Sequence, residues 1–341
     1  MKFILTFLFV CLAIGVKANQ YSDRLVGSAD HNSKHNCQPI GNLNPQMNLT
    51  ITVVTGSLAK TEIVAAYFNI FDFLTIKDEN ILDLKLKGTV AQFSQVFNTT
   101  FIQYQCPNST NKFVQYATSS EVYIPKSVQS NIVGILGLET VITHRAFFRR
   151  RPSTHQKPST TYSYFTGNEA AQVYGVPSGT GSGVKVGIVT LGGYFLQSDL
   201  QTYFTNNGLG TAPTIKVAYV DGATQDTTDT GSATENYLDI ENVATVVPQA
   251  TITIYFSTQT TTNGFYDVLK MALMNNNVVS CSWGSDESGN PASTFQMFQT
   301  LFSTYSNVPA FMATGDTGSY VTRSSSVGGA GFPASCPNAI D

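Results

Sequence analysis

Glu235-Asn-Tyr-Leu-Asp239 places two carboxyl groups four residues apart in a run that reads as a helix. Positions i and i+4 of a helix share one face, one turn apart, so the two acids stack as a like-charge pair. That pair is unfavourable when both ionise, and a shared proton relieves it by raising one apparent pKa. The plainer reading is an exposed acidic face near a helix start, where acids are mildly stabilising. A second candidate is Asp316, in Gly315-Asp-Thr-Gly318 directly after the apolar stretch Ala310–Thr314. The carboxyl end of a parallel strand is where open α/β sheets place their sites, although Asp and Gly also end strands in ordinary turns. All four histidines (His31, His35, His144, His155) precede residue 156, so the downstream half offers no Ser-His-Asp or Cys-His pair of its own. A hydrolase built there needs a carboxylate as its base, and a base with a pKa near ~4 works best in acid.

The elements that would position these acids alternate. Apolar strands are expected over Val184–Leu191, Ile215–Val220, Thr251–Phe256, Val278–Ser282 and Ala310–Thr314. Helices are expected from near Ser198, over Ser232–Val247 up to Pro248, over Gly264–Asn275 and over Ala292–Tyr305. Strand–helix alternation with continuously apolar strands implies a parallel α/β sheet covered on both faces. Upstream the pattern is α+β, with strands at Asn48–Val54 and Ile81–Val90 and helical spacing over Ala59–Phe71, Thr89–Phe97 and Ser127–Leu138. Between Pro152 and Thr161 runs a polar, proline-marked stretch that reads as an exposed linker. Arg149-Arg-Arg151 just before it is either a processing site or a solvated charge run.

The start of the chain reads as an export signal. Lys2 precedes an apolar run from Phe3 to Val16, and Val16-Lys-Ala18 ends it, as in a secretory signal peptide over residues 1–18. A membrane anchor would need about 20 apolar residues. Sequons at Asn48, Asn98 and Asn108 mark candidate glycosylation sites, although an Asn- and Thr-rich chain also produces them by chance. Beyond Cys11 remain Cys37, Cys106, Cys281 and Cys336; Cys37 and Cys106 could pair in an oxidising compartment, and Cys281 could equally be a buried free thiol. The connectivity stays open. No CxxC or His/Cys cluster suggests a structural metal. Residues 19–157 carry 13 Lys/Arg and 9 Asp/Glu, whereas 158–341 carry 4 and 13. A basic half joined to an acidic half suggests surfaces that attract each other, or simply two solvated faces.

Two Asp-Thr-Gly-Ser strings, starting at Asp229 and Asp316, match pepsin-like aspartic peptidases, but Asp229 follows a polar loop and the surroundings are α/β rather than all-β. A different set of motifs is ordered along the chain: Gly192-Gly193 after a strand, Glu235-Asn-Tyr-Leu-Asp-Ile-Glu241, Ser282-Trp-Gly284, Ala313-Thr-Gly-Asp-Thr-Gly318 and Phe332-Pro-Ala-Ser335. In that series the chain resembles the sedolisin family of serine-carboxyl peptidases, which includes kumamolisin and the lysosomal tripeptidyl peptidases. Gly88–Phe97 and Ile135-Leu-Gly-Leu138 resemble the family's propeptide.

The resemblance implies a signal peptide at 1–18, an α+β propeptide domain at 19–151, a linker at 152–161 and a subtilisin-like α/β peptidase domain at 162–341, incomplete at its end. It implies an acid-acting endopeptidase or tripeptidyl peptidase, secreted or lysosomal, with peptides or proteins as substrates and its own propeptide as intramolecular inhibitor. Neither nucleic acid nor a membrane span is expected. Glu235 maps to the general base, Asp239 to the acid orienting it, and Asp316 to the aspartate that donates to the tetrahedral oxyanion when protonated. Ser282, Trp283 and Gly284 map to the edge that pairs with an extended substrate. Three departures are expected to matter. The family's serine lies in a Gly-Thr-Ser segment downstream of Phe332-Pro-Ala-Ser335, and the 341 residues end before it, so the chain as written is expected to be inactive. Ser178-Gly-Thr-Gly-Ser182 is similar but stands upstream of the first core strand. The family's calcium site is expected to be missing too, leaving no cofactor in this chain, and Thr190 stands where some relatives carry a glutamate. The alternative to an enzyme is a non-catalytic pseudopeptidase that binds extended peptides or proteins.

Overall fold

The computed structural model describes residues 21–25, 37–77, 82–106, 114–120, 122–140, 144–147, 165–257, 261–320 and 328–341. The chain contacts divide it into two units, Met1–Val141 and Ile142–Asp341. The expected signal peptide, the sequon at Asn108, the arginine run and the linker lie outside the described residues.

In the first unit, β1 (Tyr21–Leu25) pairs antiparallel with β8 (Tyr123–Pro125). A three-stranded sheet joins β2 (Gln38–Asn42), β6 (Phe101–Gln105) and β7 (Gln115–Thr118). A second sheet runs β4 (Leu74–Lys77), β5 (Asp83–Thr89), β3 (Asn48–Val54), β9 (Gly134–Leu136), all antiparallel. In β5, buried Leu84 and Leu86 alternate with Lys85 and Lys87, the period of two that turns one face inward. Helix α1 (Leu58–Asn69) is capped by Ser57, and α2 (Val90–Val96) by the reciprocal Thr89–Gln92 capping box. Phe68, Phe93 and Phe97 fill the core between them. Cys37 and Cys106 form a disulfide, while Cys281 and Cys336 are free and buried.

The expected helix over Ser127–Leu138 is not there. One turn, α3 (Lys126–Gln129), is followed by β9 lying on β3. Ile132, Val133 and Ile135 are β-branched and favour a strand, and Gly137 (φ +89°) passes so close to β3 that a Cβ would come 2.8 Å from the Thr50 carbonyl. Helical apolar spacing was outweighed by strand pairing.

The second unit begins with the two-residue strand β10 (Arg145–Ala146) and helix α4 (Gly167–Val173). Then follow β11 (Lys185–Thr190), α5 (Gln197–Asn206), β12 (Lys216–Tyr219), α6 (Thr230–Val246), β13 (Thr251–Phe256), α7 (Thr262–Asn275), β14 (Val278–Cys281) and β15 (Trp283–Asp286). Helix α8 (Ala292–Thr304), β16 (Ala310–Met312) and β17 (Gly331–Phe332) complete it. Five strands form a parallel sheet in the order β12-β13-β11-β14-β16. Strand β11 is buried from Val186 to Thr190, which requires cover on both faces. Leu200 and Phe204 of α5 and Ile240 and Ala244 of α6 share a core with Val186, Ile188, Ile252 and Ile254. Phe265 and Tyr266 of α7 pack on Phe298 of α8. From β11 the chain proceeds to β12 on one side; from β14 it proceeds to β16 on the other. The carboxyl ends of β11 and β14 therefore meet where the winding reverses, the usual place for a site in an open α/β sheet.

The expectation of an α/β half without histidine is corrected here. His144 stands before the linker in sequence, yet it folds with the second unit, 1% exposed, its ring 4.7 Å from that of Phe265 and 6.2 Å from that of Phe332.

Candidate active site

Helix α6 carries the acids to the reversal point, and its placement follows from small residues in the loop after β11. Asp229 is the N-cap of α6 and accepts from Ser232 N–H at 3.0 Å, a structural role for the residue that opens the first Asp-Thr-Gly-Ser string. Gly193 has φ +73°, and a Cβ there would lie 2.4 Å from the backbone nitrogen of Ala233, so only glycine lets the loop touch the helix. Asn236, fully buried, donates its side-chain amide to the carbonyls of Gly192 (3.0 Å) and Tyr194 (3.3 Å). Asn236 lies inside the Glu235–Glu241 motif, but its residue type alone does not announce this bracing role. Loop and helix are thereby fixed within one turn of both acids.

Glu235 is 4% exposed, so the exposed-acidic-face reading does not hold for it. Asp239, one turn on, is half-buried. Ser282, directly after β14, donates its hydroxyl to Asp239 Oδ1 at 2.7 Å. Ser282 also acts on Glu235, where its hydroxyl favours the charged carboxylate. Burial, then the charge of Asp239 and that of Asp316, push Glu235 up to about 7, against the opposing Ser282 hydrogen bond. Burial pushes Asp239 up to about 6, again opposed by Ser282. The arrangement can hold and pass one proton between neighbouring carboxyls at the carboxyl edge of the sheet.

Asp316 follows β16 and is exposed, near enough for its charge to act on Glu235. Gly315 before it has φ +100°. Thr190 is buried and donates to the Gly192 carbonyl at 3.0 Å, bracing the glycine loop. The Trp283 indole is buried, and its N–H has no hydrogen-bond partner among the described residues.

The edge Ser282–Gly284 is occupied. Arg145 pairs with Gly284 and Ala146 with Trp283, antiparallel, and Phe147 N–H donates to the Ser282 carbonyl at 2.8 Å. The Phe147 ring lies over Gly284, where a Cβ would come within 2.4 Å of it. No motif announces this contact; only the position of Phe147 ahead of the arginine run marks it. Of the sequons, Asn48 and Asn98 are exposed. Among the described residues no group of three His, Cys, Asp or Glu side chains gathers to hold a cation. Nor is any helix among them long and apolar enough to cross a membrane.

Residues 55–141 match the Pro-kumamolisin activation domain. Over 266 residues the chain is 29% identical to kumamolisin of Bacillus sp. (strain MN-32), covering 74% of this chain and 47% of that protein. The chain thus spans about half the length of the curated relative it matches. A solved structure of Pseudomonas sedolisin, a serine-carboxyl proteinase complexed with two molecules of pseudo-iodotyrostatin, is similar with a TM-score of 0.45 at 22% identity, over 53% of this chain and 54% of that one. With a stretch that matches the Pro-kumamolisin activation domain placed ahead of an α/β unit, the chain is similar to kumamolisin in both parts.

Proposed function

We propose that this chain supplies the acid side chains and the peptide-binding edge of a serine-carboxyl peptidase acting in acid. The observation that carries the reading is the meeting of Glu235, Asp239 and Ser282 at the reversal of the sheet, with both carboxyls biased toward their neutral forms. Glu235 is the base for the serine and Asp239 orients it. Asp316, when protonated, donates to the oxyanion; such a donor is typically worth about 2.7–4 kcal/mol of transition-state stabilisation. Ser282, Trp283 and Gly284 hold the substrate by strand addition, a role supported by the backbone pairing of residues 145–147 on that edge. In the family's order the serine follows Phe332-Pro-Ala-Ser335, so hydrolysis is a property of a protein that carries that segment as well.

The match to the Pro-kumamolisin activation domain supports intramolecular inhibition by the propeptide. Lys2 with the apolar run after it, the exposed Asn48 and Asn98, and the Cys37–Cys106 disulfide support a secretory route to the cell exterior or the lysosome. The occupied edge also supports the second reading, a non-catalytic binder of extended peptides. The two separate in a chain extended through a Gly-Thr-Ser segment and assayed for peptide hydrolysis in acid. The peptidase reading expects Glu235→Gln and Asp316→Asn each to lose about 100-fold or more in kcat. Undiminished hydrolysis in the double variant would sink it, and absence of hydrolysis in the extended parent would favour the binder.

A further inference from the structure

All three sequons fall in the first unit, and amino-acid content does not account for that. Each unit holds 12 asparagines and the second is the richer in Ser and Thr, yet no Asn-x-Ser/Thr occurs from 142 to 341. We propose that the first unit carries an N-linked oligosaccharide at Asn98 and that residues 142–341 carry none, so a cut between the units would leave the sugar wholly with the first. The inference rests on the secretory route proposed above, because the acceptor motif is read only along that route.

Asn98 stands where helix α2 stops. Phe97 caps the helix, Asn98 follows with φ +46°, and Thr99 N–H donates to the Ser94 carbonyl at 3.1 Å. This is the Schellman closure, whose left-handed residue is usually Gly and sometimes Asn. The cap therefore explains an asparagine at 98, but it asks nothing of residue 100. Thr100 is exposed, its backbone pairs with Ser119, and its hydroxyl has no partner among the described residues. Neither packing nor hydrogen bonding selects a hydroxyl there; the acceptor motif does, since it needs Ser or Thr two residues after Asn. The sequon at Asn48 differs. Its Thr50 lies in β3 opposite Lys87, where a β-branched residue is favoured by the strand itself.

The turn is held firmly enough to present a side chain. Thr99 is 9% exposed and its hydroxyl is 3.0 Å from that of Ser120, while Ser119 N–H donates to the Thr100 carbonyl at 2.7 Å. Asn98 itself is exposed, and its amide bonds nothing among the described residues. A bulky, solubilising group at that amide extends into water and leaves the core around Phe93 and Phe97 intact. In the transfer, Asn98 Nδ2 attacks C1 of the first sugar of a lipid-linked oligosaccharide diphosphate. The N–C bond forms, the C–O bond to the diphosphate breaks, the amide gives up one proton, and the lipid diphosphate leaves.

The 341-residue chain, made in a secreting eukaryotic cell and recovered from the medium, is treated with peptide-N-glycosidase in heavy-oxygen water, which turns a sugar-bearing asparagine into labelled aspartate. Label is expected at position 98 and nowhere from 142 to 341. Thr100→Ala keeps Asn98 and its cap but removes the acceptor signal. Its label at 98 should be lost, with a melting temperature equal to that of the enzyme-treated parent. Asn98→Gly keeps the left-handed cap with its commonest residue and should migrate one glycan lower on a gel. An exported parent without label at 98 overturns the proposal, as does label within 142–341 or label at 98 that survives Thr100→Ala. A chain that stays inside the cell contradicts the secretory reading instead. An export leader of known competence in place of residues 1–18 then puts the same question to position 98, so the two readings fail separately.

Discussion

Ser282, at the carboxyl end of β14, donates its hydroxyl across 2.7 Å to Asp239 on α6, tying a strand end to a helix 43 residues away in sequence. That bond favours the charged form of Asp239 against the burial that raises its pKa.

Replacing Ser282 by alanine leaves the half-buried Asp239 carboxylate without its donor. An orphaned group of this kind costs about 1–3 kcal/mol. The hydroxyl favours the charged form of Asp239, so the loss should be larger at neutral pH and smaller in acid, where Asp239 is protonated. Chemical denaturation of the parent and Ser282→Ala at both pH values checks this; an equal loss at both would mean that the bond does not discriminate the charged form.

Glu235 predicts a pH dependence of stability in the parent itself. Its folded pKa of about 7 lies above the ordinary glutamate value of about 4.3. Its stabilising contribution is complete below the unfolded value and is lost as pH rises through about 7. Glu235→Gln keeps the volume and removes the charge. It should raise stability at pH ~8 by on the order of 2–3 kcal/mol and change little at pH ~4. Thermal melts of the two proteins at both pH values would refute the assignment if the variant gained nothing at the higher pH.

The periodic elements were legible because burial writes them. Strands β11, β13 and β14 and helices α6, α7 and α8 lie within two residues of the apolar patterns that announce them. Glu235, Asp239 and Asp316 stood out by residue type and by position at strand ends and on a helix face. What stayed hidden was long-range pairing. Short β15 and β17 have no pattern of their own and exist because they pair with each other, and β15 also with β10. The burial of Glu235 was equally invisible, because the spacing that stacks two acids is the same on a wet face and on a dry one. The capture of His144 by the second unit is a tertiary event that no window around residue 144 records.

Gly193 is the steric hinge of the acid helix. Gly193→Ala combines left-handed strain with a Cβ 2.4 Å from the Ala233 nitrogen, a backbone atom that moves only if α6 moves. Strain plus overpacking should cost about 2–4 kcal/mol. Gly222 is the internal control, since it has φ +74° with nothing within 4 Å of a built Cβ. Gly222→Ala should cost only the strain, about 1 kcal/mol. Equal melting temperatures for the two variants would show that the loop yields without disturbing the helix.

His144 predicts the opposite pH trend from Glu235. Burial holds its folded pKa near 3, below the free value of about 6.5, so the docked segment contains neutral imidazole. The stability it lends is complete above the free value and drains away as pH falls toward 3. By pH ~4.5 the penalty for keeping residues 144–147 on β15 should reach on the order of 2–3 kcal/mol. Two paired residues and two buried rings have little to set against that. The elements packed on the imidazole offer no evident rescue. On α7, Lys270 Nζ lies 4.0 Å from Asp267 Oδ1, and β17 has no ionisable side chain. Trp283 is paired with Ala146, so its emission should shift as the segment leaves. His144→Phe fills the pocket with a ring that cannot charge, and its emission should stay constant over the range in which the parent changes. If both chains lose the signal at the same pH, the release is driven from elsewhere, and Glu235 and Asp239 become the groups to examine.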